Sequence, residues 1–111
     1  MYLWVDDIRT PPCNDWLWVR STNEAITAIK SYERSFATDT IYISLDHDAG
    51  DFAGGGGDYI RVLDWLEQAG IVDTGYFFHF HTQNPVGREN MERIIRKNGW
   101  RLVEGGNNGR C

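Results

Sequence analysis

The sequence predicts an open α/β fold with a mainly parallel sheet of about five strands, ordered 2-1-3-4-5. Three observations lead to this. Short apolar runs alternate with stretches of helical periodicity, the pattern of βαβ units with right-handed crossovers. The run Ile41 to Leu45 is nearly continuous in apolar residues, as suits a central parallel strand. Two runs, Trp4-Val5-Asp6-Asp7 and Ser44-Leu45-Asp46-His47-Asp48, stop abruptly in carboxylates. Four acids and a histidine therefore gather where two strands end, the edge at which open parallel sheets bind ligands.

Tyr2 to Val5 reads as the first strand, and Ile8 to Asp15, with Thr10-Pro11-Pro12, as a loop. Trp16 to Val19 is the second strand. Ser21-Thr22-Asn23-Glu24 forms a capping box, and Ala25, Ile26, Ile29 and Tyr32 continue with helical spacing to about Arg34. After the third strand, Asp51 to Asp58 is a loop holding the glycines Gly54 to Gly57. It lacks the lysine and spacing of a phosphate-binding P-loop, and reads as a flap over the site or as a flexible connector. Asp58 is positioned to cap a second helix, in which Tyr59, Val62, Leu63 and Leu66 share a face and Gly70 supplies the stop. Tyr76 to Phe80 is the fourth strand. A third helix follows from about Gly87 to Lys97 with Met91, Ile94 and Ile95 inward, then a fifth strand from Trp100 to Val103.

One link breaks the pattern. Only about ten residues, two of them proline, separate strands one and two, whereas a parallel crossover usually takes a dozen or more. Either a helix is missing there, or strand two is antiparallel at an edge.

The 111 residues, 41% hydrophobic and 14% aromatic, are expected to form one domain over 1–111, with 105–111 as a flexible tail. A net charge of −5 and a pI near 5.0 argue against an extended nucleic-acid face. Five of the eleven basic residues (Arg88, Arg93, Arg96, Lys97, Arg101) cluster near the C-terminus, so positive charge is local. With a strand beginning at residue 2 no signal peptide is expected, and no apolar run approaches a membrane span. Two cysteines make no disulfide framework, so Cys13 is expected as a free loop thiol and the setting as cytoplasmic.

Like charges packed at a strand edge cost free energy unless a cation or shared protons neutralise them. Asp6, Asp7, Asp46 and Asp48 are therefore candidate ligands of a divalent ion. Hard oxygen donors favour Mg²⁺ or Mn²⁺, and an added imidazole would shift the preference toward Mn²⁺, Fe²⁺ or Zn²⁺. The alternative is a set of capping and loop-solvated carboxylates. Alternation places Asp46 and Asp48 on one strand face and His47 on the other. His47, between two carboxylates, suits a general acid or a structural role in the loop. His81 lies at the mouth, whereas His79 shares its face about 7 Å deeper and reads as a supporting core histidine. Thr82 and Asn84, entering the third helix, could hold phosphoryl oxygens or simply cap the helix. Arg9 is a candidate phosphate clamp, and Arg88 either a second clamp or a solvated helix charge. Trp4, Trp18 and Trp65 read as core, and Trp16 as core rather than as a base-stacking platform.

An acid pair after strand one, an aspartate after strand three and a Ser/Thr after strand four resemble the skeleton of a response-regulator receiver domain. Asp6-Asp7, Asp46 and Thr82 fill those positions. Receivers also carry a lysine after strand five, where this chain offers only Arg101, and a first helix that this chain lacks. A closer resemblance is to the cyclic-phosphate processing receiver-like domains. It rests on three blocks: Asp6-Asp7-Ile8-Arg9-Thr10-Pro11-Pro12; Ser44-Leu45-Asp46-His47-Asp48 with Gly50; and His81-Thr82-Gln83-Asn84-Pro85-Val86-Gly87 with Asn90-Met91.

That resemblance implies a receiver-like (flavodoxin-like) three-layer sandwich without its first crossover helix. The implied activity is metal-assisted hydrolysis of a cyclic phosphate on a nucleotide or RNA end. In this reading Asp46, His81, His47 and Thr82 are catalytic, and Arg9, Thr82, Asn84 and Arg88 bind substrate. The alternatives are a non-catalytic receiver-like module that binds a partner protein, and a protein that sequesters a cyclic nucleotide.

Overall fold

The computed structural model describes residues 1–35, 40–70, 75–82 and 84–103. Its sheet comprises β1 (Tyr2–Val5), β2 (Leu17–Val19), β3 (Ile41–Leu45), β4 (Tyr76–Phe80) and β5 (Arg101–Leu102). The strands are ordered β2-β1-β3-β4-β5 and every pairing is parallel. Strand order and receiver-like architecture are as expected. Of the two readings of the β1–β2 link, the missing helix holds: β2 runs parallel at the edge, and residues 6–16 contain no helix. The expected tail, 105–111, lies outside the described residues.

The helices are α1 (Thr22–Ser35), α2 (Ile60–Gln68) and α3 (Pro85–Lys97). α1 starts as the sequence requires, with the Ser21 hydroxyl accepting the Glu24 amide at 3.1 Å. α2 does not start as expected. The Asp58 carboxylate turns back and accepts the Ala49 amide at 3.0 Å, leaving the first turn of α2 without a side-chain cap. The glycine segment is structured too: Gly50–Gly55 form a 3₁₀ turn packed on the start of α1. A Cβ on Gly55 or Gly56 would press into Ser21 or Asn23, and Thr22 donates to the Gly57 and Asp58 carbonyls at 3.2 Å each. An open flap is therefore replaced by a docked turn.

Period-two alternation divides the sheet into two faces. Leu3, Val5, Ile41, Ile43, Leu45, Tyr76, Phe78 and Phe80 form one core with Ala25 and Ile29 of α1, Val62, Leu63 and Leu66 of α2, and Met91 and Ile95 of α3. The steps β2 to β3, β3 to β4 and β4 to β5 all travel the same way across the sheet. Right-handed crossovers therefore place all three helices on one face. Among the described residues no helix covers the other face, which carries an aromatic ladder instead. Tyr2 stacks on Tyr42 and Tyr42 on Phe77, each at 4.9 Å, and the Arg101 guanidinium lies 5.2 Å from the Phe77 ring centre.

Side chains hold the helix-free β1–β2 link. The Trp18 indole donates to the Asp6 carbonyl at 2.9 Å, and the Trp4 indole to that of Arg9 at 2.9 Å. Arg20 gives two hydrogen bonds to the Asp7 carbonyl, at 3.0 and 2.6 Å, with its guanidinium against the Trp18 and Phe52 rings. Trp16 is core as expected, buried edge-on against Tyr2 and Trp4, with its indole N–H lacking a partner among the described residues. Cys13 is disulfide-bonded, which corrects the expectation of a free thiol; Cys111 lies outside the described residues. Among the described residues no helix is long and apolar enough to cross a membrane.

Phe78 sits fully buried on β4 in the core between the sheet and its helices. Phe78→Ala should cost about 3–5 kcal/mol in urea-induced unfolding, the range for emptying a well-packed aromatic site.

Candidate active site

The sheet ladder runs one residue past the strands and delivers the acids to its edge. The Asp6 amide donates to the Val19 carbonyl at 3.2 Å, the Asp46 amide to Val5 at 3.0 Å and the His81 amide to Leu45 at 3.1 Å. Asp6, Asp46 and His81 thus form the top row of the helix-free face, with Trp4, Ser44 and His79 directly beneath.

Carboxylate oxygens of Asp6, Asp7 and Asp46 all lie within 4.8 Å of one another, and Asp6 and Asp7 are buried. Burial pushes the Asp6 carboxyl up, but amide hydrogen bonds from Ile8 (2.9 Å) and Arg9 (3.0 Å) and the bond to His81 outweigh it. Asp6 is therefore held below the ordinary carboxylate range. Asp7 shifts the opposite way. Burial raises it, and hydrogen bonding to Asp6 and the charges of Asp6 and Asp46 raise it further. Gly50 permits this crowding: a Cβ there would overlap Asp7, and its φ of 55° suits glycine.

The fourth expected ligand does not join them. Asp48 is exposed and pairs with His47 Nδ1 at 2.7 Å, and His47, Asp48 and Asp58 make a separate group. The His47 ring packs against Gly87, where a Cβ would overlap it, and faces the Asn84 amide nitrogen at 3.4 Å.

His81 lies beneath the mouth rather than in it. Its side chain is 9% exposed and stacks on Trp4 with centres 3.9 Å apart and planes 6° apart. Nε2 meets Asp6 Oδ2 at 2.9 Å and Nδ1 meets Ser44 Oγ at 2.8 Å, so both nitrogens are engaged. Ser44 Oγ is also 3.1 Å from His79 Nδ1. Burial lowers the pKa of both histidines. The Arg88 charge adds to the shift at His79, while the Asp6 and Asp46 carboxylates only partly oppose it at His81.

Arg9, Asp46, Asp48, Thr82 and Asn84 line a cavity of about 320 Å³. Arg9 donates to the His81 carbonyl at 2.7 Å. Thr82 Oγ1 accepts the Asn84 amide at 3.1 Å, and Asn84 Oδ1 caps α3 by accepting the Gly87 amide at 2.9 Å. Both residues therefore build the turn and also line the cavity. Arg88 lies over the Phe80 ring, 5.5 Å from its centre, and is not among those lining residues. Arg101, in register with Phe77, sits two rows below the acids.

Sequence reasoning missed two residues. Ser44 carried a signal, being a lone hydroxyl in an apolar strand two positions before Asp46 and so on its face. Arg20 carried none, because its target is a backbone carbonyl.

A receiver-type α/β sheet with an acid cluster at its carboxyl edge defines the class. Residues 1–97 match the model of the cyclic-phosphate processing receiver domain, and the chain belongs to that family. No curated protein and no solved structure matches it significantly.

Gly87→Ala should destabilise the protein by about 1–3 kcal/mol, because the new methyl overlaps His47. Denaturant titration, with the His47 ring resonances read by NMR, checks both effects. A pH prediction follows from His79, whose pKa lies below 6.5 in the folded chain. Its unfolded form takes up a proton first on acidification, so its contribution is complete above that value and declines as pH falls through the lowered one. His79→Gln should flatten the loss of stability between about pH 7 and 5 relative to the parent chain.

Proposed function

We propose that the chain is a metal-assisted phosphoester hydrolase that opens a cyclic phosphate on a nucleotide or RNA end. The observation that carries this reading is the convergence of Asp6, Asp7 and Asp46 beside a cavity lined by Arg9, Thr82 and Asn84. The donor set fits the ion: three hard carboxylate groups within 4.8 Å, one of them held above its ordinary pKa by burial and by the carboxylates beside it. Mg²⁺ or Mn²⁺ at Asp6, Asp7 and Asp46 would supply Lewis-acid charge to the phosphoryl group.

The rest of the chemistry falls to the chain's own residues. Arg9 pairs phosphoryl oxygens with its planar guanidinium, and the start of α3 contributes the positive end of its backbone. The Thr82 hydroxyl and the Asn84 amide nitrogen orient the ring phosphate. Water adds to phosphorus, one ring P–O bond breaks, and the departing alkoxide takes a proton, leaving a phosphomonoester. His47, whose Nδ1 meets the Asp48 carboxylate at 2.7 Å, gives that proton. With both nitrogens engaged, His81 acts through Asp6 instead. Arg101 lies away from the acids, so the cation of a phosphorelay site is not supplied from β5.

The test is a panel of 2′,3′- and 3′,5′-cyclic nucleotides incubated with Mg²⁺ or Mn²⁺ and followed by ³¹P NMR, with and without chelator. A metal-dependent monoester product is expected, and His47→Ala should slow the chemical step by about 10²–10⁴. An ion at a hundred times its dissociation constant should add about 2.7 kcal/mol of stability, lost in Asp46→Ala. Ligand-induced stabilisation without product would favour sequestration. Neither binding nor turnover would favour a partner-binding module.

A further inference from the structure

Ser44 is fully buried, with its hydroxyl between two imidazole nitrogens: His81 Nδ1 at 2.8 Å and His79 Nδ1 at 3.1 Å. A hydroxyl has one proton to donate and lone pairs to accept with, so the direction of each bond follows from its neighbours. Asp6 fixes the far end. Its Oδ1 already accepts two amides, and its Oδ2 lies 2.9 Å from His81 Nε2. An ionised carboxylate only accepts, so the proton between them belongs to Nε2. A ring with its single proton at Nε2 has a bare Nδ1, and that atom lies 2.8 Å from Ser44 Oγ. That nitrogen needs a donor, and the Ser44 hydroxyl is the one in contact with it. The Ser44 oxygen in turn accepts from His79 Nδ1–H. The donors then all point one way, from His79 through Ser44 and His81 to Asp6.

We propose that Ser44 is a positioning residue for the acid cluster: its hydroxyl holds His81 in the Nε2–H tautomer and so fixes the Asp6 carboxylate from below. Without the hydroxyl, Nδ1 loses its donor, the ring can exchange tautomers, and Asp6 Oδ2 loses a fixed partner. The link from tautomer to ion binding rests on the reading of Asp6, Asp7 and Asp46 as an ion site; the tautomer itself does not. Hydrogen-bonded partners that orient a metal ligand typically contribute about 10–100-fold in metal affinity.

The test uses the full chain labelled with ¹⁵N-histidine. Two-bond ¹H–¹⁵N correlation at neutral pH identifies which nitrogen of each ring carries the proton. The parent protein should show His81 protonated at Nε2 and His79 at Nδ1, each as a single tautomer. Ser44→Ala should give tautomer averaging at His81, and Ser44→Thr, which keeps the hydroxyl, should restore the single form. Mn²⁺ titration should show affinity reduced by about 10–100-fold in Ser44→Ala and recovered in Ser44→Thr. A parent His81 protonated at Nδ1 would overturn the proposal even if Ser44→Ala fails to fold. So would an unaltered His81 tautomer in Ser44→Ala. Parent protein that binds no Mn²⁺ but shows the expected tautomers would remove the ion reading while supporting Ser44 as the residue that orients His81.

Discussion

Mutual repulsion of three carboxylates at one sheet edge is the constraint around which this molecule is arranged. Asp6 and Asp7 end β1 and Asp46 ends β3, with oxygens within 4.8 Å of one another. Such a cluster persists only if each charge is answered separately. Asp6 is answered by two amides and an imidazole. Asp46 receives the His47 amide at 2.8 Å. Asp7 is the residue left with the deficit, and its raised proton affinity expresses that. The same crowding pushes the Tyr59 hydroxyl pKa well up, after burial itself. An apolar core beneath the edge gives the rigidity that keeps the acids from drifting apart.

The two rows of the helix-free face divide the labour. The upper row, Asp6, Asp46 and His81, holds two of the carboxylates, while Trp4, Ser44 and His79 beneath it mediate between them and hydrocarbon. Trp4 is apolar toward Trp16, stacks flat on His81, and gives its N–H to the Arg9 carbonyl. His81 is therefore fixed by a ring on one face and by hydrogen bonds at both nitrogens. That degree of constraint suits a group that orients its neighbour better than one that meets substrate. His47, at the rim with Asp48 and Asn84, has the more accessible setting.

Much of this was legible in the sequence because strand ends announce themselves. Apolar runs closing on Asp6-Asp7 and Asp46 located the edge, and the proline-bearing link after Val5 located the missing helix. The capping of α1 by Ser21 followed from local chemistry alone. The less legible parts depend on where a side chain turns after its backbone is placed. Asp58 reads as a helix cap, yet Ala49 competes successfully for its carboxylate. His81 reads as the residue at the mouth because it follows the strand, yet Asp6 and Ser44 draw its ring inward. Asp46 and Asp48 share a face only while the strand persists, and the strand stops at Leu45. Alternation loses its authority at that point, which is where the site begins.

The helix-free link between β1 and β2 has an evolutionary consequence. Its anchors are the carbonyls of Asp6, Asp7 and Arg9, and a carbonyl is present whatever residue carries it. Selection for the link's shape therefore falls on the donors, Trp18, Arg20 and Trp4, which belong to or adjoin the strands. The loop between them is left free of that particular duty. The side chains that do matter in the loop serve other ends: Arg9 lines the cavity, Cys13 is disulfide-bonded and Trp16 is core. A sheet without this crossover helix thus keeps a defined rim because the donors that grip it belong to or adjoin the strands themselves.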